Sequence, residues 1–136
     1  MSQVITFTIA GKLDSKSNDH HGHWSQRHKK SRVQREHAAY ATLNAFRMGE
    51  QRLDPAVWFF DAGRDIVHVR MVRCSPRRLD DDNLRDALKS VRDGISDQFG
   101  VADNHKRLAF EYDQEITKGP QSSHVRIEIS DKEPTQ

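Results

Sequence analysis

The sequence predicts a single domain of the α/β class, α+β in layout, with element order β-α-β-α-β-β and a mixed sheet flanked by helices. Four segments alternate apolar and polar residues with period two, and two longer ones repeat apolar residues at helical spacing. Strands and helices also interleave through the first part of the chain, which asks for a sheet with helices packed on it. No repeat or composition break divides residues 1–136, so the core is expected over about 4–130 and a loose tail over 131–136.

The first strand is read in Val4-Ile5-Thr6-Phe7-Thr8-Ile9, where apolar residues alternate with threonine. Gly11 to His23 is polar and turn-rich and reads as a loop. From Ser25 to Met48 there is no Pro or Gly; Val33, Tyr40, Leu43 and Phe46 form a broad helical stripe, and Gly49 suits a C-cap. Residues 49–56 read as a connection. Asp65 to Arg73 alternates as a strand with Val67, Val69 and Met71 inward, and Ser75-Pro76 ends it. Asp82 to Phe99 is the clearest helix, with Leu84, Ala87, Leu88, Val91 and Ile95 on one face. The last strands are Leu108–Gln114 and His124–Ser130. Lys118-Gly119-Pro120 between them is turn chemistry, so the two are expected to be antiparallel neighbours.

Charge is split along the chain. Residues 1–78 hold 14 Lys/Arg against 7 Asp/Glu, net +7, and residues 79–136 hold 8 against 13, net −5. Such a chain can meet a phosphate backbone with its first half and carry a reactive centre in its second; otherwise both are ordinary solvated faces. The single cysteine, Cys74, excludes an internal disulfide and fits a reducing cytoplasm, where Cys74 serves as a small buried apolar residue. No apolar run approaches a membrane span and no signal-peptide segment opens the chain, so a soluble cytoplasmic protein is expected.

The most informative stretch is Arg77-Arg78-Leu79-Asp80-Asp81-Asp82-Asn83-Leu84. Crowded carboxylates repel one another, so a fold that keeps them usually supplies a cation or a donor-rich partner. Asp80 and Asp82 share a side if the chain is extended as it enters the helix, and could together hold Mg²⁺, which takes a few carboxylates plus water and phosphate oxygens. Helix caps and first turns also favour Asp, because free N–H groups and the helix dipole meet it there. On the polar face of that helix, Asp82, Asp86, Lys89 and Asp93 fall in one line, either a working face or a solvated one with weak ion pairs.

Arg27, Lys29, Lys30, Arg32 and Arg35 make the strongest candidate for contact with a nucleic-acid backbone, or else a solubilising helix face. Arg77 and Arg78 either clamp a strand or balance the acidic triplet. His20, His21, His23 and His28 lack zinc-site spacing and read as loop histidines, with His23-Trp24 packing at the start of the first helix. No phosphate-cradling glycine motif, nucleophile elbow or Cys/His pairing is present.

Asp80-Asp81-Asp82-Asn83-Leu84, then Lys89-Ser-Val-Arg-Asp93-Gly-Ile95, then Phe99-Gly-Val-Ala-Asp103 resembles the RusA family of Holliday junction resolvases, whose members are encoded by bacteria and often by prophages. That family opens a helix with Asp-x-Asp-Asn-Leu, carries a Lys-x-x-x-Asp-x-Leu segment on it, and places an acidic turn shortly after. Ser17-Asn18, His23-Trp24 and the basic helix resemble its N-terminal part, so the likeness spans roughly residues 4–130. The resemblance implies a RusA-like fold and a homodimeric endonuclease that resolves four-way or branched DNA in recombination and repair. By the same resemblance Asp80, Asp82 and Asp103 would bind Mg²⁺, with Mn²⁺ a substitute. Asp81 would be the spacer, Asn83 would orient a carboxylate or cap the helix, and Lys89 would stabilise phosphate charge. Two positions depart from the pattern. Asp86 stands where the family lysine falls, with Lys89 three residues later on the same face, and Ala102 precedes Asp103 where an acidic residue is common. The alternative is a branched-DNA-binding protein of the same fold that does not cut.

Overall fold

In the computed structural model, residues 4–11, 24–49, 52–61, 66–119 and 123–131 are described, residues 24–27 by their backbone alone. Strand β1 (Val4–Ala10) leads to helix α1 (Trp24–Met48) and short helix α2 (Pro55–Phe60). Strand β2 (Val67–Ser75), helix α3 (Asp81–Phe99), and strands β3 (Leu108–Ile116) and β4 (His124–Ser130) follow. The result is one small α+β domain with a four-stranded mixed sheet in the order β1-β4-β2-β3.

Strands β2 and β3 are parallel, joined by the α3 crossover, while β4 runs antiparallel to both β1 and β2. The expected β3–β4 hairpin is therefore wrong: β2 lies between them. Alternation places a side chain on a face but does not choose the neighbouring strand. Val125, Ile127 and Ile129 of β4 are almost fully buried, and a central place between β1 and β2 covers them. Strand β3 ends in polar residues and an exposed Ile116, which an edge tolerates.

In register, Ile5, Phe7 and Ile9 meet Ile129, Ile127 and Val125, and Val69 and Met71 meet Phe110 and Tyr112. This face is covered by Leu84, Leu88, Val91, Ile95 and Phe99 of α3 and by Ala38 and Phe46 of α1. The opposite face carries Arg70 paired with Asp113 and Glu128, and Arg126 paired with Glu115 and Glu128. Among the described residues the helices thus lie on one side of the sheet.

The α1 stripe matches the expected one at Phe46, is half-buried at Leu43 and differs elsewhere. Tyr40 is 70% exposed and Val33 is also exposed, while Ala38, Thr42 and Phe46 face inward at i, i+4, i+8 spacing. The cause is a close crossing with α3. A Cβ on Gly94 would lie 2.3 Å from the Arg35 carbonyl oxygen and 2.8 Å from the Ala38 Cβ, so only small residues fit. Thr42 satisfies its buried hydroxyl by donating to the Ala38 carbonyl at 2.7 Å.

Helix α2 starts at the end of the 49–56 connection and runs on through residues 57–60, where the sequence suggests no element. Asp54 caps it by accepting from the Ala56 N–H at 2.9 Å, and Pro55 takes the first turn. It drives Trp58 and Phe59 into the core, where Phe59 and Trp58 stack on Phe99 at 5.1 and 6.0 Å and Phe46 meets Trp58 edge-on at 5.3 Å. The loop 12–23, the tail 132–136, Asp65 and Pro120 lie outside the described residues.

Candidate functional site

The segment between β2 and α3 is held from below. Along β2 the inward positions are Val67, Val69, Met71 and then Arg73; along β3 they are Leu108, Phe110, Tyr112 and then Gln114. Arg73 and Gln114 are register partners, so the apolar face ends in two polar side chains at the same edge. Arg73 is 2% exposed and donates through Nη1 to the Arg77 carbonyl at 2.6 Å. The Gln114 amide donates to the Leu79 carbonyl at 2.7 Å and accepts from the Leu79 N–H at 3.0 Å. Above this brace the side chains of Arg77 and Arg78 are exposed.

Asp80 then caps α3. Its backbone is extended, and its Oδ1 accepts from the Asn83 N–H at 2.9 Å. Asp81 and Asp82 fill the first turn and are exposed, favourably placed at the positive end of the helix dipole. Further along, Lys89 pairs with Asp93 at 3.3 Å.

Gly100, left-handed at φ 76°, closes α3, and the turn that follows carries Asp103. Arg92 reaches this turn from mid-helix. Its Nε lies 3.0 Å from Asp103 Oδ2, Nη2 donates to the Asp103 carbonyl at 3.1 Å, and Nη1 donates to the Tyr112 hydroxyl at 2.6 Å. The guanidinium also lies over the Phe110 ring at 4.6 Å, and Arg85 lies over the Tyr112 ring at 5.1 Å.

Asp80, Asp82 and Asp103 thus have different surroundings: a cap, an exposed first turn and an arginine-held turn. Among the described residues no three His, Cys, Asp or Glu side chains converge as a ready metal cage. Oxygen donors nevertheless suit Mg²⁺, which often takes only one or two protein carboxylates and completes its shell with water and phosphate oxygens. Asp80 uses one oxygen for capping, Asp103 turns one to Arg92, and Asp82 is exposed.

Lys29, Lys30 and Arg32 are exposed on α1. Arg35 instead grips Asp97 of α3 through two bonds, Nε at 2.6 Å and Nη2 at 2.7 Å, and this pairing raises its pKa further above the usual guanidinium range. The side chain of Arg27 and residues His20, His21 and His23 lie outside the described residues, as does the side chain of Trp24. Cys74 is buried, and burial pushes its thiol pKa up. On the outer sheet face, the hydrogen bond from Arg70 holds the Asp113 carboxyl below its ordinary range.

Sequence reading misses Arg73, Gln114, Arg92 and Tyr112. For Arg73 and Gln114 the signal is present: each is a polar residue at the inward phase of an otherwise apolar alternation. Arg92 and Tyr112 carry no such mark, because their pairing depends on how the α3–β3 turn folds back.

No described helix is long and apolar enough to cross a membrane. Fold and site define a small α+β domain with an acidic helix start set beside two exposed arginines and a basic helix packed across the same element. Comparison with known proteins finds no family model that matches the chain and no match among curated proteins.

Proposed function

We propose that the protein is a Mg²⁺-dependent, structure-selective endonuclease acting on four-way or branched DNA in the cytoplasm, of the kind the RusA resemblance implies. The observation that carries this reading is the β2–α3 segment, where exposed Arg77 and Arg78 stand directly before the Asp80–Asp82 helix start. Phosphate and a hard cation ask for these two chemistries side by side.

Asp80, Asp82 and Asp103 would hold the metal. When bound, Mg²⁺ supplies Lewis-acid chemistry that eases attack by water on a phosphodiester and departure of the leaving oxygen. Arg77 and Arg78 bind the phosphates of the strand to be cut and orient it. Lys29, Lys30 and Arg32, with Arg27, neutralise phosphates on an arm of the junction, a sequence-independent contact that weakens steeply with salt. Lys89, released from Asp93, offers its ammonium to developing phosphate charge. Two symmetric cuts in a four-way junction call for a homodimer.

A second reading is favoured by Asp103, whose carboxylate already faces Arg92, and by Asp86 at the family's lysine position. In that reading the domain binds branched DNA without cutting it.

The test incubates the purified protein with labelled four-way junction and matched linear duplex, with and without Mg²⁺. Paired nicks that require metal and vanish in Asp82→Asn are expected. Selective binding without nicks, even with Mn²⁺, would favour the second reading, and indifference to both DNAs would overturn both.

A further inference from the structure

We propose that Gln114, with Arg73 beside it, is a positioning residue for DNA contact: it fixes residues 77–79 so that Arg77 and Arg78 meet phosphates as a preset pair. The inference rests on the reading that these two arginines bind the DNA backbone.

The geometry is specific. Gln114 gives Leu79 both halves of a peptide-like pair, donating to its carbonyl at 2.7 Å and accepting from its N–H at 3.0 Å. Two residues earlier, the Arg77 carbonyl accepts from Arg73 at 2.6 Å, and two earlier again the Ser75 carbonyl accepts from the Thr117 N–H at 3.1 Å. Backbone groups at 75, 77 and 79 are thus tied to β2, β3 and the residue after β3, while the Arg77 and Arg78 side chains are exposed to solvent.

A segment that merely links strand to helix can leave such groups to water. Here Arg73, a residue 2% exposed, gives one guanidinium bond to a carbonyl of that segment, and burying a charge is expensive unless its bonds are made. The return is a backbone ordered before DNA arrives, which removes an ordering cost otherwise met on binding. Leu79 packs against the core and adds to the same restraint.

The experiment is a double-mutant cycle read as junction affinity by fluorescence anisotropy without divalent metal, so that cleavage plays no part. Its corners are wild type, Gln114→Met, the pair Arg77→Ala/Arg78→Ala, and all three together. Gln114→Met keeps the side-chain length and removes both hydrogen bonds. It is expected to weaken junction binding about tenfold in the wild-type background, the loss of roughly one to two net hydrogen bonds' worth of order. In the background lacking both arginines it is expected to change affinity less than about twofold. Circular dichroism and melting check that each variant is folded. If Gln114→Met does not fold, Gln114→Glu, which keeps an acceptor for the Leu79 N–H and loses the donor, takes its place.

Equal weakening in both backgrounds would show a general structural effect and overturn the inference. So would wild-type affinity in Gln114→Met while Arg77→Ala/Arg78→Ala binds poorly. Wild-type protein that ignores the junction would instead overturn the proposed function, and this inference with it.

Discussion

Replacing Gly94 by alanine sets two physical effects of opposite sign against each other. In a helix interior Ala is favoured over Gly by about 1 kcal/mol, so propensity alone says that Gly94→Ala stabilises. The structure says otherwise. The new Cβ would sit 2.3 Å from the Arg35 carbonyl oxygen, 2.8 Å from the Ala38 Cβ and 2.9 Å from the Ala39 nitrogen. Two of these three atoms are backbone and cannot rotate aside, and the carbonyl contact is about 1 Å too short. Helix α1 must therefore back away from α3, and a gap of that size forfeits a quarter to a half of each dispersion contact along the crossing. Overpacking of this kind costs about 1–3 kcal/mol, and a clash with backbone belongs at or above the upper end. After the propensity gain, a net loss of about 2 kcal/mol is expected, a fall of roughly 5–8 °C in melting temperature for a domain of this size. Thermal and urea denaturation followed by circular dichroism measure it. An unchanged or raised melting temperature would refute the close α1–α3 crossing.

Phe99→Ala should cost about 3–5 kcal/mol in urea denaturation, because Phe99 is fully buried and contacts Phe46, Trp58 and Phe59; a loss below about 1 kcal/mol would contradict the aromatic core. A double-mutant cycle of Arg35→Ala and Asp97→Ala should give a coupling of only about 0.5–1 kcal/mol, shrinking in high salt, since the pair is half-exposed; coupling that salt leaves unchanged would contradict this. Asp113 has its pKa lowered chiefly by the hydrogen bond from Arg70, so its contribution is complete above the unfolded value and fades as pH falls through the lower folded one. Asp113→Asn should accordingly lose stability less steeply than wild type below about pH 4, measured by denaturant midpoints across that range. Buried Cys74 should resist a thiol-reactive dye in native buffer and react once denaturant is added; fast native labelling would place it elsewhere.

The long elements are legible because their period is strong. Alternation marks β1, β2, β3 and β4, and the Leu84–Ile95 stripe marks α3, since burying one apolar face is the main driving force for each of them. The α1 stripe is harder to read, because beside Phe46 its inward positions are the small Ala38 and Thr42, while Tyr40 and Val33 are exposed. The crossing at Gly94 admits Ala38 and Thr42 there and leaves Tyr40 outside. Helix α2 escapes a periodicity reading although Asp54-Pro55 is a start signal, because six residues are too few to show a period. At the candidate site, the Asp80–Asp82 run is visible, and so is its ambiguity. Asp80 does cap the helix, and capping leaves it a second oxygen.

By itself the sequence determined the α+β class, the strand faces and that of α3, the split of basic and acidic charge, and the acidic helix start behind two arginines. All of these are local, set by neighbours a few residues away. The tertiary structure decided that β4 lies between β1 and β2, with β3 at the edge. It also decided that Arg92, bonded to the Tyr112 hydroxyl, holds the Asp103 turn, and that Arg73 and Gln114 brace the segment carrying Arg77 and Arg78. Those outcomes depend on which surfaces are buried together once the chain closes on itself, and a hydrogen bond between residues 35 positions apart, as between Leu79 and Gln114, leaves no period to read.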